Sequence, residues 1–130
     1  MKNRMLGLIS SKYLRYDYKL IEEFGYFVYF ITDGEYTKIG VAGSISSRIK
    51  QLQTGNPRKL KVLFLIDGET QCNSYWIERK LHEAFSSKQA SGEWFKISEN
   101  DIVSVCNKVG YRLYKPMTKH NFTIDGVVNV

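Results

Sequence analysis

Apolar residues cluster most densely in two runs, Tyr26-Phe-Val-Tyr-Phe-Ile-Thr32 and Tyr36-Thr-Lys-Ile-Gly-Val-Ala42, separated by Asp33-Gly34-Glu35. Each run is short and rich in β-branched and aromatic residues, which predicts strands over 26–32 and 36–42. The first is apolar on both faces, as expected for a central strand covered on both sides. Asp-Gly between such runs predicts a two-residue hairpin turn, because both residues tolerate positive φ. With Asp33 and Gly34 at the turn centre, Thr32 faces Glu35, Ile31 faces Tyr36 and Tyr29 faces Lys38. Directly opposed side chains share a face of the sheet, with Cβ atoms about 5 Å apart.

Elsewhere the period changes to helical. Residues 10–24 carry Leu14, Tyr18 and Ile21 at helical spacing, and Gly25 closes the segment. Ser44 reads as the N-cap of a helix with Ile45, Ile49 and Leu52 inside, ended by Gly55 and Pro57. Arg48 borders that apolar stripe. Residues 60–66 predict a third strand, ended by Asp67-Gly68. A helix over about 73–87 buries Ile77, Leu81, Ala84 and Phe85, with Glu78 and His82 on one flank four residues apart. Trp94–Ile97 predicts a short strand, Asn100–Lys108 a last helix capped by Gly110, and Tyr111–Tyr114 a further strand. A tail follows from Lys115, with a hairpin signal at Asp125-Gly126. The expected architecture is an α/β domain of the α+β type, a small antiparallel three-stranded sheet flanked by helices. Its expected parts are an N-terminal helical extension (1–24), a core (25–98) and a C-terminal helix, strand and tail (99–130).

Composition bounds the function. At 130 residues, with 43% hydrophobic and 25% charged residues, the chain suits one globular domain. Cys72 and Cys106 form no CxxC pair, so neither a disulfide framework nor a zinc pattern is visible, and both read as reduced thiols of an intracellular protein. No run reaches the length of a membrane span, and Met5–Ile9 is too short for a signal-peptide core. Net charge is +6 and nine tyrosines, seven phenylalanines and two tryptophans are present. A basic, aromatic surface suits a polyanion, since cations neutralise phosphates and aromatic faces stack on bases. Many basic domains bind no nucleic acid, so charge by itself does not decide the class.

The pairing of a phenol with an ammonium group, two residues before Gly40, singles out Tyr29 and Lys38. Phe27-Val28-Tyr29 and Lys38-Ile39-Gly40 resemble the two halves of the GIY-YIG nuclease signature. Arg48 lies where that superfamily places its helical Arg. Gln51-Leu-Gln-Thr-Gly-Asn-Pro57, Glu78…His82 and Gly92-Glu-Trp-Phe95 resemble a branch common in phages and mobile elements. The resemblance spans about Gly25 to Ile97. Two positions depart from the pattern: Lys38 replaces a tyrosine, and Glu93 stands near the place where many members carry an Asn.

The resemblance implies a metal-dependent endonuclease that hydrolyses DNA. A phosphodiester repels nucleophiles, so hydrolysis needs activated water, neutralised oxygens and a stabilised leaving alkoxide. The expected catalytic residues are Tyr29, Lys38, Arg48 and Glu78. Tyr29 positions or deprotonates water; its free pKa of about 10 is high, and Lys38 is the cation expected to favour the phenolate or to act as base itself. Arg48 offers a fork of donors to phosphate oxygens. Glu78 is the expected ligand of a single Mg²⁺ or Mn²⁺, with no small-molecule cofactor. Tyr36 and His82 are auxiliary candidates, while Asn56 is expected to shape the turn before Pro57. The four main residues should converge on one cleft. Taken singly, each has an ordinary explanation: packing for Tyr29, a solvated charge for Lys38, a snorkelling side chain for Arg48, an i,i+4 partner of His82 for Glu78.

Two rival classes remain. One is a fold-retaining nucleic-acid-binding or regulatory module without cleavage; the other is a module that offers its tyrosine-rich surface to a protein. The expected partner is DNA in the cytoplasm of a bacterial or phage-infected host, with no membrane contact and with specificity low or supplied by a protein partner. If DNA binding is electrostatic, log K falls with log salt by about 0.9 per phosphate neutralised on duplex. Titration of a labelled duplex at several salt concentrations checks this. Absence of binding at low salt by folded protein would favour the protein-interaction class.

Overall fold

The structure, a computed structural model, describes residues 14–17 and 26–117. The sheet grows around the expected hairpin. Strands β2 (Phe27–Thr32) and β3 (Thr37–Ala42) pair antiparallel, and β4 (Lys61–Asp67) lies antiparallel on the other side of β2. These three match the predicted strands. The sheet is larger than expected, however, with seven strands in the order β1-β7-β4-β2-β3-β6-β5. Added to the three are β1 (Leu14–Asp17), β5 (Gln89–Ser91), β6 (Trp94–Phe95), which lies within the strand expected at Trp94–Ile97, and β7 (Tyr114–Met117), which starts where the strand expected at Tyr111–Tyr114 was to end. All pairings are antiparallel except β1 with β7. The α+β class stands, and the expected three strands are its centre.

The strand at Leu14–Asp17 corrects the helix expected over 10–24. Four residues of that segment form a parallel ladder with Tyr114–Met117, so a long-range partner overrides the local helical spacing. The remainder of that segment, Met5–Ile9 and the Asp125-Gly126 hairpin signal lie outside the described residues.

Helix α1 (Ile45–Gln53) packs on one face of the sheet, where Ile45 joins Phe27, Tyr29, Ile31, Ala42, Leu60, Val62 and Leu65. Its cap is the predicted one: the Ser44 hydroxyl accepts from Ser47 N–H. Beyond the helix, Gln53 holds the loop together. Its amide donates to the carbonyls of Asn56 and Arg58 and accepts from Leu60 N–H at 2.8 Å. Asn56 Oδ1 accepts from Arg58 N–H, which is the turn-shaping role expected of it.

Helices α2 (Gln71–Ala84) and α3 (Glu99–Val109) supply Ile77, Leu81, Ile102 and Cys106 to the opposite face, against Val28, Phe30, Ile39, Val41, Phe64 and Phe95. Helix α2 ends at Ala84, short of the predicted 87, because the chain tightens into a 3₁₀ turn (Ser86–Lys88) before entering β5. Gly110 ends α3 in the left-handed conformation with φ 89°, and Ser98 with Asp101 forms a capping box at its start. Burial pushes the Cys106 thiol up to about 12, in keeping with an inert packing role; Cys72 is exposed and free. No helix among the described residues is long and apolar enough to cross a membrane.

The hairpin register differs from expectation. Tyr29 is opposite Gly40 and Ile31 opposite Lys38, so the turn centre is Gly34-Glu35 and not Asp33-Gly34. Asp33 sits just before the centre, where its Oδ1 accepts from Glu35 N–H at 2.9 Å and Tyr36 N–H at 2.7 Å. That local carboxylate-to-backbone bonding moves the turn one residue along. The ladder shifts by two, which leaves Tyr29 and Lys38 on the same face as diagonal neighbours.

Gly40 is required by this register. A Cβ there would lie 2.5 Å from Cζ of Tyr29, whose side chain is fully buried. Gly40→Ala is therefore expected to overpack the hairpin and cost about 1–3 kcal/mol, read as a lower urea midpoint. An unchanged midpoint would mean that the Tyr29 ring yields without cost.

Candidate active site at the outer edge of β3

Strand β6 covers only Thr37 and Lys38 of β3. Beyond Lys38, the outer edge of β3 bonds to loop and side-chain groups. Ile39 N–H donates to the Glu93 carbonyl. The Ile39 carbonyl accepts from His82 Nε2 at 2.9 Å, and the Val41 carbonyl from Arg48 Nη1 at 3.2 Å. Helices α1 and α2 lie on opposite faces of the sheet, yet their polar side chains reach the same edge.

On the α1 side, Arg48 Nη1 also donates to the Tyr29 hydroxyl at 3.3 Å, and the guanidinium carbon stands 5.9 Å from the ring centre. On the α2 side, Glu78, His82 and Glu93 bring ligand-type atoms within 4.8 Å of one another. His82 Nε2 is 4.0 Å from Glu78 Oε2, too long for a hydrogen bond. Because Nε2 meets a carbonyl it carries the proton, and the ring is further held 5.0 Å from Phe95. Lys38 Nζ donates to Glu93 Oε1 at 2.9 Å and stands 5.8 Å from the Trp94 ring.

The electrostatics follow from burial. Glu78 is pushed above the usual carboxylate range, first by desolvation and then by the neighbouring Glu93 charge, against the opposing pull of His82 and Lys38. The Tyr29 phenol is also pushed up, chiefly by burial. Arg48 pulls it down through its hydrogen bond and charge, while Glu93 and Glu78 push it up. This corrects the expectation that a cation holds Tyr29 near ionisation with Lys38 as that cation. Arg48 is the cation at the hydroxyl, Lys38 is committed to Glu93, and desolvation outweighs both effects of Arg48.

The structure thus brings together Tyr29, Lys38, Arg48, Glu78 and His82. Tyr36 stands apart. It is at the hairpin tip beside Asp33, about 13 Å along the strand from Tyr29, with Lys96 Nζ over its ring at 5.3 Å. Glu93 joins the site although it was not among the expected catalytic or metal residues. Its signal was the Gly92-Glu-Trp-Phe95 block, whose Gly92 turns the β5–β6 hairpin with φ 56°. Asn56 lies in the loop after α1.

Residues 24–110 match the T5orf172 domain. The chain belongs to the T5orf172 domain family. That domain is found in phage and mobile-element proteins and is often linked to nucleases. The matched span runs from just before β2 to the end of α3, so it contains every member of the edge cluster. No curated protein and no solved structure matches the chain.

The raised Glu78 gives a signed prediction. Above the ordinary glutamate value, the unfolded chain releases its proton before the folded chain does, so stability falls as pH rises through that window. Glu78→Gln avoids this loss. The variant is expected to melt a few degrees higher than wild type at pH 7, with the difference gone near about pH 4, where both states keep the proton. Thermal melts across pH check this; a lower Tm at pH 7 would mean that Glu78 is held by net favourable contacts.

Proposed function

We propose that this T5orf172-family protein is a divalent-metal-dependent endonuclease of the GIY-YIG type that hydrolyses DNA phosphodiesters. The observation that carries the reading is a guanidinium bonded to a buried phenol at the same strand edge as two mutually repelling carboxylates. A packing role explains neither the carboxylate pair, which costs stability, nor its place at a cationic edge.

Arg48 spends Nη1 on Tyr29 and Val41, and its other donors would take phosphate oxygens as charge builds on them. Tyr29 keeps its proton at neutral pH and accepts from Arg48; buried as it stands, it would serve by fixing that guanidinium, and its hydroxyl proton would reach a substrate oxygen or the attacking water only once Arg48 shifts toward phosphate. Glu78 and Glu93 offer the oxygen donors that a hard divalent ion takes, and their mutual repulsion would be relieved by one. His82 Nε2 is occupied by the Ile39 carbonyl, so that nitrogen is not free to hold the ion. Mg²⁺ or Mn²⁺ bound there would supply charge neutralisation and polarisation of the phosphate. Lys38 balances Glu93 in its absence.

A second reading, a nucleic-acid-binding module without cleavage, draws on two observations: Lys38 is tied up in an ion pair, and Tyr29 is held protonated. Cleavage of plasmid and single-stranded DNA with Mg²⁺, Mn²⁺ or EDTA separates the two. Arg48→Ala should lower the rate by about 10²-fold while weakening DNA binding modestly. Glu78→Ala should abolish cleavage yet keep or raise DNA affinity, because it removes a negative charge beside the phosphate. Equal nicking by wild type and Glu78→Ala would refute the nuclease assignment and favour the binding module.

A further inference from the structure

The outward face of α2 carries a feature that the edge cluster does not use. Tyr75 and Trp76 are 49% and 52% exposed, two of the three large hydrophobic side chains left exposed among the described residues. Both belong to a helix whose other flank anchors it well: Ser74, Ile77 and Leu81 are buried. Cations from the next turn surround the indole. Lys80 Nζ lies 4.9 Å and the Arg79 guanidinium carbon 5.9 Å from its ring centre. Lys80 also meets Glu83 at 3.6 Å, whereas Arg79 has no carboxylate partner among the described residues.

The position of this face matters as much as its composition. On a helix with about 100° per residue, Tyr75 lies about 60° round from Glu78 and about 20° from His82. Going outward from the edge cluster, the order is Glu78, His82, Tyr75, Arg79, then Trp76 and Lys80. Tyr75 and Arg79 therefore adjoin the cluster, about 60° and about 100° round from Glu78, and Trp76 and Lys80 carry the exposed face on to about 160° and about 200°.

We propose that Tyr75, Trp76, Arg79 and Lys80 form a stacking platform for a single-stranded stretch of nucleic acid next to the phosphate held at the β3 edge. The inference rests on the nucleic-acid reading above and adds strand preference to it. Exposed aromatic rings offer apolar faces to unstacked bases, and the adjoining cations meet the phosphates between them. A duplex keeps its bases stacked internally, so it can use only Arg79 and Lys80. The occupant implied by rings and cations together is thus an unpaired strand.

The test uses full-length protein in EDTA, so that it does not depend on cleavage. Binding of a fluorescent oligo-dT and of a labelled duplex is measured for wild type, Trp76→Ala and Tyr75→Ala, with melting curves to show that each variant folds. Both side chains are half exposed, so the fold is expected to survive. The expected result is a loss of oligo-dT affinity of at least about tenfold in Trp76→Ala, with duplex affinity changed less than twofold. Equal loss on both probes, or no loss on either, overturns the platform. A dimer in wild type that becomes a monomer in Trp76→Ala, with oligo-dT affinity unchanged, also overturns it and assigns the face to self-association. Either failure leaves the cleavage assay of Arg48→Ala and Glu78→Ala untouched, so the two proposals fail separately.

Discussion

The candidate site depends on one missing side chain. Opposite Gly40 the Tyr29 ring fills space that any Cβ would claim, and so a full-sized phenol lies flat in a covered strand while its hydroxyl reaches the strand edge. Arg48 then finds two acceptors at once, the hydroxyl and the Val41 carbonyl, and is fixed at the rim of its helix instead of extending into water. The same short approach explains why the phenol is poorly placed to ionise. Being packed under Gly40 desolvates it more than one hydrogen-bonded guanidinium can offset.

Across the edge, the arrangement works by a different balance. Glu78 and Glu93 come from elements separated by the 3₁₀ turn and β5, and nothing local holds them together. Burial first, and then the Glu93 charge that Lys38 and His82 offset only in part, make Glu78 retain its proton more tightly than an exposed glutamate. The carboxylate pair thus sits beside a guanidinium held by two acceptors. The family match covers all of these residues.

Much of this was readable along the chain. The apolar runs marked β2, β3 and β4, Ser44 marked the start of α1, and Gly110 marked the end of α3, because strand period, N-cap chemistry and left-handed glycine are local properties. Tyr29, Lys38, Arg48 and Glu78 were legible as a set for a different reason: each falls at a place that the GIY-YIG resemblance marks. Tyr36 was misplaced because the turn was centred one residue early. The Asp33 carboxylate, by binding Glu35 and Tyr36 N–H, decided which residues flank the centre.

What the chain determined by itself was most of its elements, which follow from periodicity, capping and residue type within a few positions, and, through the motif resemblance, a list of candidate site residues. What only the tertiary structure decided was which of those residues meet. Leu14–Asp17 became a strand because Tyr114–Met117 lies alongside it, a pairing across about a hundred residues that no local spacing encodes. Glu93 entered the site because β6 stops at Lys38 and leaves the rest of the β3 edge open to the loop before it. Lys38 turned from Tyr29 to Glu93 because an ammonium group follows the nearest uncompensated carboxylate, and the position of that carboxylate is set by the folded sheet.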